Sequence, residues 1–125
     1  MESDKQDYID KLIASFIQHE PPFSSLGTPF LVDTETTEAL VRFGRAAIPA
    51  LEAALESGNP KIVMYAAYCL GQIGDQTVLP SLQSVEERYA NKEPKEKYDY
   101  SVLSAVGRAI ERLQEPKEKT ESESN

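Results

Sequence analysis

Apolar residues recur at three- and four-residue steps along most of this chain. Tyr8, Ile9, Leu12, Ile13, Phe16 and Ile17 make a wide stripe with Asp and Lys opposite, which predicts a helix over 4–19. Ser3 or Asp4 can cap its start, and Glu20-Pro21-Pro22 stops it, because proline lacks the N–H and restricts the residue before it. Residues 23–33 carry turn formers (Ser24, Ser25, Gly27, Pro29) among Phe23, Leu26, Phe30, Leu31 and Val32. So apolar a loop is expected to lie on the core as a lid rather than project into water.

The same periodicity then predicts helices over 34–43, 46–57, 60–73, 77–90 and 97–114. Pro49, Pro60 and Pro80 sit near helix starts, where a missing N–H costs little. Gly44, Gly58 and Gly74 follow helix ends, with Asn59 placed to cap the next helix. Residues 91–96 form a charged loop, read as a surface insertion. Residues 115–125 hold Glu, Lys, Ser and Thr with no large apolar side chain, the composition of a disordered acidic tail.

One phrase is written twice. Ala39-Leu40-x-x-Phe43-Gly44 precedes Ile48-Pro49-Ala50-Leu51, and Cys69-Leu70-x-x-Ile73-Gly74-Asp75 precedes Leu79-Pro80-Ser81-Leu82. A partial third copy, Ala105-Val106-Gly107-x-Ala109, follows the charged loop. A period of about thirty residues with two helices per period marks a helical solenoid, whose neighbouring pairs bury each other's apolar faces. Ala66, Ala67, Gly71 and Ala105 would let helices approach closely. The expected fold class is all-α: a short superhelix of about six helices in three antiparallel pairs. Its organisation would be a capping helix and loop over 1–33, repeats over 34–114 and a tail over 115–125.

Leu70-Gly71-Gln72-Ile73-Gly74-Asp75 followed by Leu79-Pro80-Ser81-Leu82 resembles the HEAT-like repeat of the phycobilisome lyase type, and Phe43-Gly44 with Ala47-Ile48-Pro49-Ala50-Leu51 is similar. The resemblance covers roughly 34–113. It implies an α-α superhelix of the kind used in adaptors, scaffolds, chaperone-like subunits and bilin lyase components. The chain departs from the family pattern at Val63 and Met64, where such repeats commonly carry a basic residue, and at Tyr68, where they are usually polar.

Composition narrows the chemistry. The chain has 125 residues and a formal net charge of −8, which disfavours phosphate-backbone contacts with nucleic acid and adhesion to anionic lipid. One cysteine and one histidine leave no disulfide framework, multi-cysteine zinc site or His pair. An acidic N-terminus without an apolar run gives no targeting segment, and no stretch approaches the ~20 apolar residues of a membrane span, so the expected setting is cytoplasmic. No phosphate loop, nucleophile elbow or zinc-helix motif is present, and no cofactor or metal is expected. His19 reads as a helix-end histidine, Cys69 as a core thiol, and the carboxylates as solvated faces and helix starts.

The remaining candidate is a contact surface. In stacked repeats equivalent helices lie side by side, so Met64 and Tyr68, with Tyr65 at the edge, would be flanked by Arg42 on the preceding helix and Tyr100 and Arg108 on the last. Met and Tyr suit interfaces, and arginines suit their rims. The competing reading packs Met64 and Tyr68 beneath the loop around 23–32. The functional expectation is a non-enzymatic protein-interaction module that binds another protein. The alternatives are an accessory subunit of a phycobilin lyase or isomerase complex, implied by the resemblance alone, and a self-associating structural protein, a homodimer through the same face.

Overall fold

The computed structural model describes residues 2–18, 34–96 and 98–115. The lid expected over 23–33, His19 and the tail from 116 onward lie outside the described residues. Among the described residues there are six α-helices: α1 (Glu2–Ala14), α2 (Glu35–Phe43), α3 (Ile48–Ala54), α4 (Pro60–Ile73), α5 (Leu79–Ala90) and α6 (Asp99–Gln114). The described residues contain no strand. Five helices build the repeat region and α1 adds to it from the N-terminal side. No described helix is long and apolar enough to cross a membrane.

Local chemistry sets the helix ends. Thr34 and Thr37 close a reciprocal box at the start of α2: the Thr37 N–H donates to Thr34 Oγ1 (3.1 Å) and the Thr34 N–H to Thr37 Oγ1 (2.8 Å). Asn59 Oδ1 accepts from the Lys61 N–H at 2.9 Å, with Pro60 beside it in the first turn of α4. Gly74 ends α4 in the left-handed region (φ 81°), its N–H bonded to Leu70 O.

Several expected helices are shorter than their apolar periodicity. The helix expected over 4–19 turns into a 3₁₀ segment at Ser15–Gln18. The one expected from 46 begins at Ile48, after a 3₁₀ turn at Gly44–Ala47, and the one expected from 77 begins at Leu79, after a 3₁₀ turn at Gln76–Val78. In both cases a proline lies one residue inside the α-helix, where its ring blocks the i−4 hydrogen bond and the preceding turn tightens to i−3 bonding. Gly58 was expected to end α3 in a left-handed turn. It does not, because α3 already closes at Ala54 through i−3 bonds from Glu56 and Ser57.

Three contacts show that α4 and α6 run in the same direction. Lys61 lies over the Tyr98 ring at their starts, Gly71 faces Ala109 further along, and Gln76 Nε2 donates to Leu113 O at their ends (2.9 Å). The Arg45–Asp75 ion pair (3.4 Å) joins the turns that follow α2 and α4, so α2 shares that direction. On the other side, Ser81 donates to Glu52 (2.8 Å), and Arg88 bonds both Glu56 (3.0 Å) and Leu55 O (2.9 Å), aligning α5 with α3. Helices α2, α4 and α6 therefore form one layer. Helices α3 and α5, joined to them through short turns, run back as the second, which is the stacked-pair arrangement of a solenoid.

The α4–α6 seam is the closest approach. A Cβ placed on Gly71 would sit 3.0 Å from Ala109 Cβ and 3.1 Å from its Cα, so only glycine lets these backbones meet. Around the seam Leu40, Leu51, Leu55, Val63, Leu70, Val78, Leu82, Val85, Val102 and Val106 form one continuous core. Helix α4 is the hub: it touches α1, α2, α3 and α6, and none of its residues is exposed.

Candidate protein-contact surface

The layer α2–α4–α6 carries all six residues singled out from the sequence, and the structure divides them. Tyr100 is 68% exposed at the start of α6, Arg108 and Arg42 are exposed, and Tyr68 is half-buried. Met64 and Tyr65 are 1% and 3% exposed and belong to the core, so they cannot contribute to a contact surface on this fold. The cause is α1. Its apolar stripe lays Ile9, Ile13 and Phe16 into the interior, and the Phe16 ring stacks on Tyr65 at 4.6 Å between centroids and 7° between planes. Phe16 of the N-terminal segment thus covers Tyr65 directly. The apolar character of Met64 and Tyr65 reflects a hub helix covered on all sides, the usual reason a helix is apolar all round.

Sequence reasoning missed the order in the charged insertion. Lys95 Nζ donates to Ala90 O (3.1 Å) and Lys92 O (2.8 Å), folding the loop around its own cation. Lys92 Nζ reaches Asp99 Oδ2 (2.9 Å) and Glu96 Oε1 (3.1 Å), and Asp99 Oδ2 also accepts the Glu96 N–H (2.6 Å). Asp99 is fully buried in the first turn of α6, and its Oδ1 has no hydrogen-bond partner. Burial pushes its carboxyl up, but the Glu96 N–H and the Lys92 ammonium outweigh it and hold the group below its ordinary value of 3.8. Lys92 is correspondingly raised by its bonds to Asp99 and Glu96. The Tyr89 hydroxyl is raised, by burial first and by the Asp99 charge second. In the sequence Asp99 is one acidic residue at a helix start. Nothing in its neighbours reveals that it is buried.

This loop also frames the exposed aromatic. Lys95 Nζ lies 5.8 Å from the centroid of Tyr100, and Lys61 Nζ lies 5.5 Å from that of Tyr98. Tyr100 is thereby presented beside the Lys95 cation, with Arg108 two helical turns further on the same face of α6. At the other end of the layer Asp75 caps the turn after α4. Its carboxylate is held below the ordinary value by the Thr77 hydroxyl and N–H, with a smaller contribution from Arg45.

Among the described residues no three His, Cys, Asp or Glu side chains are grouped so as to hold a metal ion. Cys69 is fully buried on α4, in keeping with a core thiol.

No curated protein and no solved structure matches the chain. A family model described as PBS lyase HEAT-like repeat matches residues 62–87, the stretch that runs from within α4 into α5. The repeated phrase, the glycine-ended turns and the two layers of co-directional helices agree with that match. Residues 62–87 are thus similar to a HEAT-like repeat, and the described residues fold as an all-α stack consistent with that repeat.

Proposed function

We propose that this protein is a non-enzymatic interaction module, a small HEAT-repeat adaptor or scaffold that binds another protein through the exposed side of the α2–α4–α6 layer. The observation that carries the reading is Tyr100, 68% exposed on the last helix of the stack and set beside the Lys95 ammonium, with Arg108 beyond it and Arg42 on the far helix. A large aromatic held in place on a repeat surface loses little side-chain freedom on binding, and tyrosine and arginine are the residue types that dominate interface energies. Helices α2, α4 and α6 balance four carboxylates (Glu35, Glu38, Asp99 and Glu111) with four cations (Arg42, Lys61, Arg108 and Arg112), so the chain's net charge of −8 lies outside this layer. The partner surface that fits is therefore apolar with acidic edges.

The test is affinity capture from source-cell lysate with three baits: wild type, Tyr100→Ala and Arg108→Glu. A stoichiometric partner retained by wild type, and lost or weakened at least tenfold in both variants, is the expected result. A partner retained equally by all three places the contact elsewhere.

A further inference from the structure

The insertion before α6 carries an ammonium that is fixed in place without being neutralised. Lys95 Nζ spends two of its three donors on main-chain carbonyls, Ala90 O at 3.1 Å and Lys92 O at 2.8 Å. Neither acceptor is an anion, and among the described residues no carboxylate pairs with Lys95. The neighbouring acids are engaged by a different cation, since Asp99 and Glu96 both hold Lys92. That pair also anchors the loop, because the Asp99 carboxylate is fully buried and accepts the Glu96 N–H as well. The Lys95 ammonium is therefore positioned by both ends of the insertion and not by its own flexible stem. One donor and the whole charge remain beside Tyr100, whose ring centroid is 5.8 Å away and whose side chain stands in solvent. Ser104 and Arg108 continue the exposed stripe of α6 at four-residue steps, and Arg108 has no ion pair among the described residues. At the rise of an α-helix, Arg108 lies about 12 Å beyond Tyr100.

We propose that Lys95, Tyr100 and Arg108 form a docking strip for an extended acidic segment of a partner protein. The segment lays an apolar side chain on the Tyr100 ring between two carboxylates, one paired with Lys95 and one with Arg108. The proposal rests on the interaction-surface reading above and gives that surface its ligand chemistry. A carboxylate suits both ends: the spare ammonium donor takes one oxygen, and the guanidinium fork takes two. In an extended segment the side chains at i, i+2 and i+4 point to one side and span about 13 Å, which matches the interval along α6. Because Lys95 is already held, its ordering costs little when the segment binds. The chain's net charge of −8 repels acidic segments at long range, so binding depends on these short-range contacts. An acidic segment that lacks the apolar side chain is therefore a weak ligand.

The probe is an end-blocked peptide, Gly-Glu-Ser-Leu-Ser-Glu-Gly, titrated into the isotope-labelled full chain and followed through the backbone amide resonances. Saturable shifts confined to the insertion and the exposed stripe of α6 are the expected result. Exchanging both glutamates of the peptide for glutamine should weaken binding by about tenfold or more, and exchanging its leucine for serine should do the same. Neither comparison alters the protein. Lys95→Gln keeps donors for Ala90 O and Lys92 O but removes the charge, so it should also bind about tenfold more weakly. Tyr100→Ala should abolish the preference for leucine over serine. The proposal is overturned if the glutamine peptide binds equally well, if the shifts fall elsewhere, or if Lys95→Gln binds like wild type. It also fails if inorganic phosphate at the same concentration reproduces the shifts and displaces the peptide, because the strip would then be a general anion site. Adding Lys95→Gln to the capture baits separates the two readings. A partner lost by Tyr100→Ala and kept by Lys95→Gln overturns the acidic-segment assignment and leaves the interaction surface standing.

Discussion

Helix α4 is gripped on two sides in two different ways. Toward α6 the contact is made by what is missing: Gly71 has no side chain, and its backbone comes within Cβ distance of Ala109. Toward the N-terminal segment the contact is made by large side chains, with Phe16 stacked on Tyr65 and Ile9 and Ile13 packed nearby. The first seam runs from the Lys61–Tyr98 pair to the Gln76–Leu113 hydrogen bond, spanning both helices. The second is described by its apolar groups and by the hydrogen bond from Lys61 to Ile17 O. A seam built on backbone approach has no alternative packing, whereas one built on a few large side chains can detach as a unit.

Phe16→Ala should separate the two regions most. Removing a fully buried ring costs about 3–5 kcal/mol. That loss falls on α1, so amide exchange there should accelerate by about two to four orders of magnitude while the α4–α6 seam keeps its protection. Exchange measured by mass spectrometry checks this, and equal acceleration across α4 and α6 would show a single cooperative unit.

Gly71→Val probes the opposite side. Its branched Cβ would collide with Ala109 backbone, at a cost of about 2–3 kcal/mol, against the helix-propensity gain expected on an open helix face. Denaturant unfolding should show the midpoint falling for the whole repeat stack, with no preferential loss of α1. A neutral or stabilising result would mean that α4 and α6 are not in backbone contact.

Asp99→Ala removes the carboxylate that ties the 91–98 loop to α6, and should cost about 1–2 kcal/mol. The same group sets a pH dependence. Asp99 and Asp75 both lie below the ordinary 3.8 in the folded chain, so their stabilisation is fully present above that value and is lost as pH falls through the lower folded values. Urea midpoints from pH 6 down to pH 2 should fall mainly below about pH 4, and less steeply in Asp99→Asn. Asn59→Ala should have the smallest effect, about 1 kcal/mol, because it removes one cap at the start of the hub helix and touches neither seam. Thermal unfolding followed by circular dichroism is sufficient to read it.

The candidate site shows where local pattern stops being informative. Tyr65 and Tyr100 are the same residue type at helical positions, and both looked suited to contact. One is stacked beneath Phe16 and the other stands in solvent, because α4 has helices on every side and α6 ends the stack. Met64 shared that ambiguity: an apolar residue in place of the family's polar one is compatible with a partner's surface or with the chain's own α1. Asp99 is the converse case, an ordinary acid at a helix start that packing made the buried centre of a loop.

What the sequence by itself determined is what depends on neighbours a few residues apart. The five repeat helices, the cap at Asn59, the left-handed end at Gly74 and the thirty-residue repeat follow from propensity, proline chemistry and apolar period. Tertiary structure alone decided that α1 covers Tyr65, that Lys92 and Asp99 meet, that Gly71 faces Ala109, and that Tyr100 is left exposed. Those outcomes depend on which helices lie against which, and burial at a given position is set by residues that lie far away in the sequence.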